Sequence, residues 1–342
     1  MSIHNIIIYA VSAAVMLVSQ IVHAETGGAG YEFLNIPTSA HAYALGGSGI
    51  ALISDDVALA DQNPALLGPE IEKQFSVGYM HYIGSGNFAG VRFGMGAGDH
   101  SAWAAGTRYL NYGSMTEYDP SGVAGGKFSP SDIVIEGSYS HDITDRWRGG
   151  VNLNMIYSHY DVYTAFALSV DLGVNYYDDE HDLSLSLVLR NAGGQLKRFD
   201  QAYNRLPFDV QIGYMQGLGS SPFSLSITAR NLVRWNLPYY THPKDSEGDT
   251  QVLKSTFFSN FFRHLTFGLQ YQPSEKIWIA LGYDNKTATD MSTYHRSFLS
   301  GFSIGAGLRV RGFGFGVAYA QPHKSASTVM VNLNCNIWEL MN

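Results

Sequence analysis

Two histidine and carboxylate pairs, His159 with Asp161 and His242 with Asp245, come nearest to acid–base chemistry in this chain of 342 residues. A histidine oriented by a carboxylate activates a hydroxyl or thiol only when that nucleophile stands in a defined setting and a third group fixes the base. Neither pair has such a setting, so no catalytic residue is expected and the chain reads as a non-enzyme. Asp55-Asp56 offers oxygen ligands for a cation, but adjacent carboxylates at a helix start are accounted for as capping and dipole partners. Cys335 is the one cysteine, without Cys or His neighbours at ligand spacing. It makes neither an intramolecular disulfide nor a zinc site and reads as a small lipid-facing hydrophobe. Gly312-Phe313-Gly314-Phe315-Gly316 lacks the lysine of a phosphate loop and reads as a turn between strands. No cofactor and no metal is therefore expected. The 29 acidic residues outnumber the 21 basic ones for a net charge of -8, and no Lys/Arg cluster forms a stripe, which excludes a nucleic-acid partner.

The element that must position these groups is a sheet. From Gln74 onward, apolar residues alternate with small or polar ones in blocks of about ten, the length a tilted strand needs to cross a bilayer. Phe166, Leu168, Val170, Leu172, Val174 and Tyr176 alternate with Ala165, Ala167, Ser169, Asp171, Gly173 and Asn175, a period of two that a helix would scatter over its surface. Such blocks run from 74–82 to 326–337 and number about fourteen, an even count as a single-chain bacterial barrel requires. Short links such as 98–100 and 142–145 alternate with long ones such as 112–130 and 232–263, as periplasmic turns and outer loops do. Mean hydropathy is only -0.06 because outward and inward residues cancel. The fold class is thus all-β: a transmembrane antiparallel β-barrel of about fourteen strands with a small N-terminal helical plug. Tyrosines toward strand ends, Tyr79, Tyr109, Tyr157 and Tyr283 among them, suit interfacial girdles. The last block sends Val329, Val331, Leu333, Cys335 and Ile337 outward, ahead of Trp338.

Three segments follow: a signal peptide at 1–24, a plug at 25–73 and the barrel at 74–342. Ile6 to Val22 is mostly apolar, and Val22-His23-Ala24 places small residues where a signal peptidase cuts, so cleavage near Ala24 is expected. The region before it carries only His4 and the free amine, which leaves retention as an anchor as the alternative. In the plug, Ser39 to Leu45 reads as a short helix capped by Ser39 or Thr38 and stopped by Gly46-Gly47. Asp55 to Gln62 reads as a second, capped by Ser54 and ended before Pro64. A lumen lined by Gly, Ala and Ser leaves space that this segment fills.

Phe33-Leu34-Asn35-Ile36-Pro37, Ser39 to Gly47, Asp55-Asp56 and Gln62-Asn63-Pro64-Ala65-Leu66-Leu67 resemble the PorV/PorQ branch of FadL-like barrels. Asn231 to Leu237 is similar to its PorQ members in particular. His41 stands where an arginine is frequent. The resemblance implies a FadL-like outer-membrane barrel of the type IX secretion system, in the surface attachment complex with PorU, PorV and PorZ, holding a PorZ-like partner through its outer loops. It also marks Ser39, Leu45, Gly46, Gly47, Asp55, Asp56, Asn63, Pro64 and Ala65 as the plug motif.

Arg92, Arg108, Glu136, Asp171, Arg190, Arg230, Asp284, Arg309 and Arg311 fall on the small-residue face of their strands and are assigned to the lumen, pairing with each other and with the plug. In the outer loop, Trp235, Tyr239, Tyr240, Phe257, Phe258, Phe261 and Phe262 are costly to leave in water. They fold onto the membrane rim or lumen mouth, or form a partner-binding patch. The leading expectation is docking, with outer-membrane lipid and a surface protein as partners. The alternative is a FadL-type transporter of hydrophobic small molecules, which needs an apolar pocket, whereas the inward positions read mainly as Gly, Ala, Ser, Asn and charges.

Overall fold

A computed structural model describes residues 30–82, 84–119, 121–200, 203–241, 252–254, 256–290, 299–323 and 326–341. The expected signal peptide, the first five plug residues and the His242 and Asp245 pair lie outside them. The wall starts with β1 (Gln74–His81), β2 (Asn87–Gly96) and β3 (Ser101–Asn111). A small hairpin, β4 (Met115–Tyr118) with β5 (Ala124–Phe128), rises from the next outer loop. The wall continues through β6 (Ser131–Thr144), β7 (Trp147–Tyr160), β8 (Tyr163–Asp178), β9 (Leu183–Lys197), β10 (Asp209–Gly217) and β11 (Phe223–Ala229). β12 (Tyr239–Thr241) and β13 (Val252–Lys254) pair within the following loop. Then β14 (Leu265–Ser274), β15 (Ile277–Asp284), β16 (Phe302–Val310), β17 (Phe313–His323) and β18 (Ala326–Asn336) complete the circuit.

Fourteen strands close into one antiparallel barrel in which β1 pairs with both β2 and β18, so the expected fold holds. Closure leaves no unpaired sheet edge, the condition for crossing hydrocarbon with strands. Among the described residues no helix is long and apolar enough to cross a membrane. The alternation resolves as read: on β8, Ala165, Ala167, Ser169 and Asp171 are buried while Leu168 and Val174 are exposed on the outer face. Apolar side chains outside and polar ones inside is the inverse of a water-soluble barrel. Registered aromatics mark the two rims. Tyr319 is registered with Val329 and Tyr79 with Val331, two residues further along the same strand, toward the outer end, and Trp103 lies across from Tyr139 toward the other.

Short turns gather at one end, taken as periplasmic, although the outer link between β7 and β8 is also only two residues. Two local expectations change. The turn between β16 and β17 is Arg311-Gly312 alone, both with positive φ, and Phe313 already belongs to the strand. The last strand ends at Asn336, and Ile337–Met341 forms a short helix, so Ile337 is not a wall residue. Trp338 lies under the Lys73 ammonium at 5.6 Å instead.

The plug enters at the outer mouth, where the Tyr31 hydroxyl accepts from Gln195, and leaves at the periplasmic end just before β1. Its helix spans Ala40–Ala44, with Ser39 at the N-cap and Gly46 and Gly47 following in the left-handed region that glycine tolerates best. The second expected helix is a 3-10 turn, Val57–Asp61, capped by Asp56 through Ala58 N rather than by Ser54. The Ser39 hydroxyl donates to Asp56 Oδ2 at 2.7 Å, so this carboxylate joins two plug turns. Asn63 caps a further 3-10 turn, Pro64–Leu66.

Candidate functional site: a sealed bore and an aromatic outer rim

The small residues that leave the lumen empty in sequence are where the plug touches the wall. A Cβ added to Gly78 would strike Thr38 O, one on Gly150 would strike Pro64, and one on Gly282 would strike the Gly46 amide. The same holds at Gly213, where the clash would be with Ile50 at 2.6 Å, and at Gly305, with Ala44 at 2.7 Å. These glycines sit on β1, β7, β15, β10 and β16, so close contact encircles the plug. Backbone approaches backbone with no side chain between, which leaves little space for water.

Among these contacts lies a set of buried charges. Glu136 on β6 receives Arg92 on one oxygen and Arg108 on the other, and all three are 3% exposed or less. Arg92 also donates to Ser138 at 2.9 Å, and Arg108 reaches the plug at Leu34 O, 3.0 Å away. Arg190 donates to Leu34 O and Asp61 O, each at 3.1 Å. A bulge in β9 aims it there. The amide of Asn191, at φ 54, binds Asp171 Oδ1 at 2.6 Å, and the register with β8 shifts between Val170 and Leu172. Asp61 in turn accepts the Thr38 amide at 2.8 Å and its hydroxyl at 2.7 Å. Wall cations thus hold plug carbonyls, and carboxylates of wall and plug balance them, which is how buried charge is tolerated.

Neutral contacts complete the seal. Asn63 donates to Ile50 O and Ser186 while accepting from Ala65 N, and Asn152 donates to Ala60 O at 2.7 Å. The His41 ring stacks on Trp278 at 3.9 Å and bonds to Gln270 at 2.8 Å. Asn63→Ala would take this partner from Ile50 O and the Ala65 amide, while Ser186 keeps its bond from Asn175. The expected loss is about 1–3 kcal/mol of unfolding free energy, read from denaturant titration in detergent micelles. No change would remove this residue from the seal.

The other assigned charges lie near the mouths. Arg230 pairs with Asp284 beside the outer loops, and Arg309 pairs with Asp55 and Glu339 at the periplasmic end. Arg311 is a correction. It is exposed in its turn, because a two-residue link points its side chain away from the bore. The inward face also departs from the expected composition. Met80, Phe88, Leu110, Val134 and Ile156 form a fully buried apolar layer in the outer half, packed with Phe33 and Leu34 of the plug. Their signal was present, since each sits at an inward position of the alternation, but only at the outer strand ends.

On the outer rim, Phe257–Arg263 is a helix, with Phe257 64%, Phe258 72%, Phe261 40% and Phe262 46% exposed. Trp235 stacks on His264 at 4.7 Å, and Tyr239 lies under the Arg263 guanidinium at 4.8 Å. Tyr240 belongs to β12. His159 is exposed near the outer end of β7, and Asp161 stands in the adjacent turn at φ 55, with no nucleophile arranged between them among the described contacts.

No protein-family model matches the chain, and no curated protein matches it. Solved structures do. The toluene transporter TbuX of Ralstonia pickettii aligns at 14% identity over 87% of this chain and 96% of its own, with a TM-score of 0.51. The Pseudomonas putida toluene transporter TodX aligns at 9% identity over 87% and 96%, with a TM-score of 0.52. A Pseudomonas aeruginosa FadL homologue aligns at 12% identity over 88% and 98%, with a TM-score of 0.49. The fold is that of an outer-membrane β-barrel of this FadL-like kind.

Proposed function

We propose that this chain is a non-enzymatic, plugged outer-membrane barrel that anchors a surface protein through its outer loops. The observation that carries the reading is the seal: a glycine collar closed on the plug, together with a wall charge network whose cations grip plug carbonyls. A barrel filled this way has its outer surface left to work with. That surface presents apolar side chains beyond the lipid belt, including Tyr118 and Val123 on the small hairpin and Val162 at the β7–β8 turn, each more than 60% exposed. The sequence resemblance supplies the setting: a type IX secretion attachment complex, with a PorZ-like partner held alongside PorU and PorV. Export by the signal peptide, with cleavage near Ala24, belongs to the same proposal.

A second reading is passage of hydrophobic small molecules. The names of the solved neighbours speak more for it than for anchoring, and the apolar layer around Phe88 and Phe33 is the local feature in its favour. Affinity purification from the native membrane separates the two. Co-recovery of a large surface protein supports anchoring, and co-recovery of lipid-like or aromatic ligands without it supports transport. Deletion of residues 245–253 is expected to keep heat-modifiable barrel mobility while releasing the surface partner. Undiminished partner recovery from that variant would refute docking through this loop.

A further inference from the structure

The helix Phe257–Arg263 has its polarity inside out. Its phenylalanines fall at positions i, i+1, i+4 and i+5, which places all four on one face, and Asn260 and Arg263 on the other. A helix packed on a protein core in water would bury the first face. Here the phenylalanines are 40% to 72% exposed, while Asn260 is 6% and Arg263 2% exposed. The orientation is locked by polar contacts. Asn260 accepts the Leu237 amide at 3.2 Å and donates to Asn236 at 3.2 Å, and Arg263 pairs with Asp290 and Thr289 of the neighbouring outer loop. Rolling the aromatic face inward would break all of these.

Position decides what covers that face. One residue, His264, separates the helix from Leu265, where β14 begins. Phe267 on the outer face of β14 is registered with Tyr283, and Tyr283 with Phe302, so lipid-facing aromatics form a rim immediately below. At roughly 3.3 Å per strand residue the helix end stands within about 15 Å of that rim. The four rings pack among themselves, Phe257 against Phe258 at 5.7 Å and Phe261 against Phe262 at 5.6 Å. Trp235, an amphipathic ring suited to headgroup depth, lies 6.0 Å from Phe257. The face is continuous with the lipid-facing belt and has the apolar-ring, polar-back pattern of an interfacial helix.

We infer that Phe257–Arg263 is a membrane-interface anchor, its four phenylalanines seated in the outer leaflet at the boundary of acyl chains and headgroups. This goes beyond surface docking and does not depend on it. It withdraws these phenylalanines from the partner-binding patch and assigns them to lipid, so that the helix fixes the height and tilt of one side of the barrel.

The test uses the full barrel with Cys335→Ser, reconstituted alone in phosphatidylcholine and phosphatidylglycerol liposomes. A nitroxide is placed at Phe258→Cys and, in a second variant, at Phe262→Cys. Leu269→Cys in the lipid belt and Tyr118→Cys on the outer hairpin serve as references. Collision with oxygen relative to a water-soluble nickel chelate is expected to be several-fold higher at both helix positions than at Tyr118, approaching Leu269. Heat-modifiable mobility reports whether each variant has folded. Chelate access equal to that at Tyr118, at both positions in folded barrels without any protein partner, would overturn the anchor and return this face to protein docking.

Discussion

Gly282→Val turns the sealed barrel into a conducting one. The Gly282 Cα faces the plug backbone at Ala44, Leu45 and Gly46, and a Cβ at this point overlaps the Gly46 amide. Neither side can yield cheaply. The wall is held by its ladders to β14 and β16, and the plug backbone carries no flexible side chain to swing away. Overpacking of an ordinary core costs about 1–3 kcal/mol, and here relief comes from moving the plug segment as a unit. Purified Gly282→Val in a planar bilayer is expected to show long-lived openings absent from the wild type, and cells carrying it should admit large hydrophilic antibiotics. Gly282→Ala, also carrying a Cβ, is expected to act in the same direction. Gly137→Val is the control, since a Cβ there meets nothing within 4 Å. Folded Gly282 variants with wild-type conductance would show that the collar does not seal the bore.

Removing the shared carboxylate at Glu136 carries the second large effect. Glu136→Gln keeps the side-chain shape but leaves Arg92 and Arg108 facing each other at 3% exposure or less without their counter-charge. Stranding buried charges costs about 3–5 kcal/mol, far more than removing an exposed partner. Glu339→Gln supplies that comparison: its partner Arg309 is 35% exposed, where such pairs contribute about 0–1 kcal/mol. Unfolding midpoints in detergent micelles, followed by tryptophan fluorescence, measure both. Adding Arg92→Gln to Glu136→Gln is expected to restore part of the loss by removing one stranded cation. A penalty at Glu136 no larger than that at Glu339 would mean that water reaches the network and the bore is not closed at this height.

The wall was legible because its signal is local. Which of Ala167 and Leu168 faces lipid follows from two neighbours, and fourteen repetitions of that rule make a barrel. The caps were partly legible. Gly46-Gly47 stops the plug helix as read, but Asp56 rather than Ser54 caps the next turn, since both are cap formers and only the folded chain brings Ser39 to Asp56. Arg311 was misplaced because alternation was continued one residue past the strand into a tight turn. The apolar layer of Met80, Phe88, Leu110, Val134 and Ile156 was overlooked for a related reason. These residues belong to different strands and gather only when closure brings their outer ends to one height.

Composition and period alone determined that this chain crosses hydrocarbon as a closed sheet and must fill its own interior, because alternation and strand length are properties of consecutive residues. Tertiary structure decided the rest. Alternation places Gly137 on the lipid face and Gly282 on the inward face, but that Gly282 presses on the plug at Gly46 was decided only where residues far apart along the chain meet across the bore.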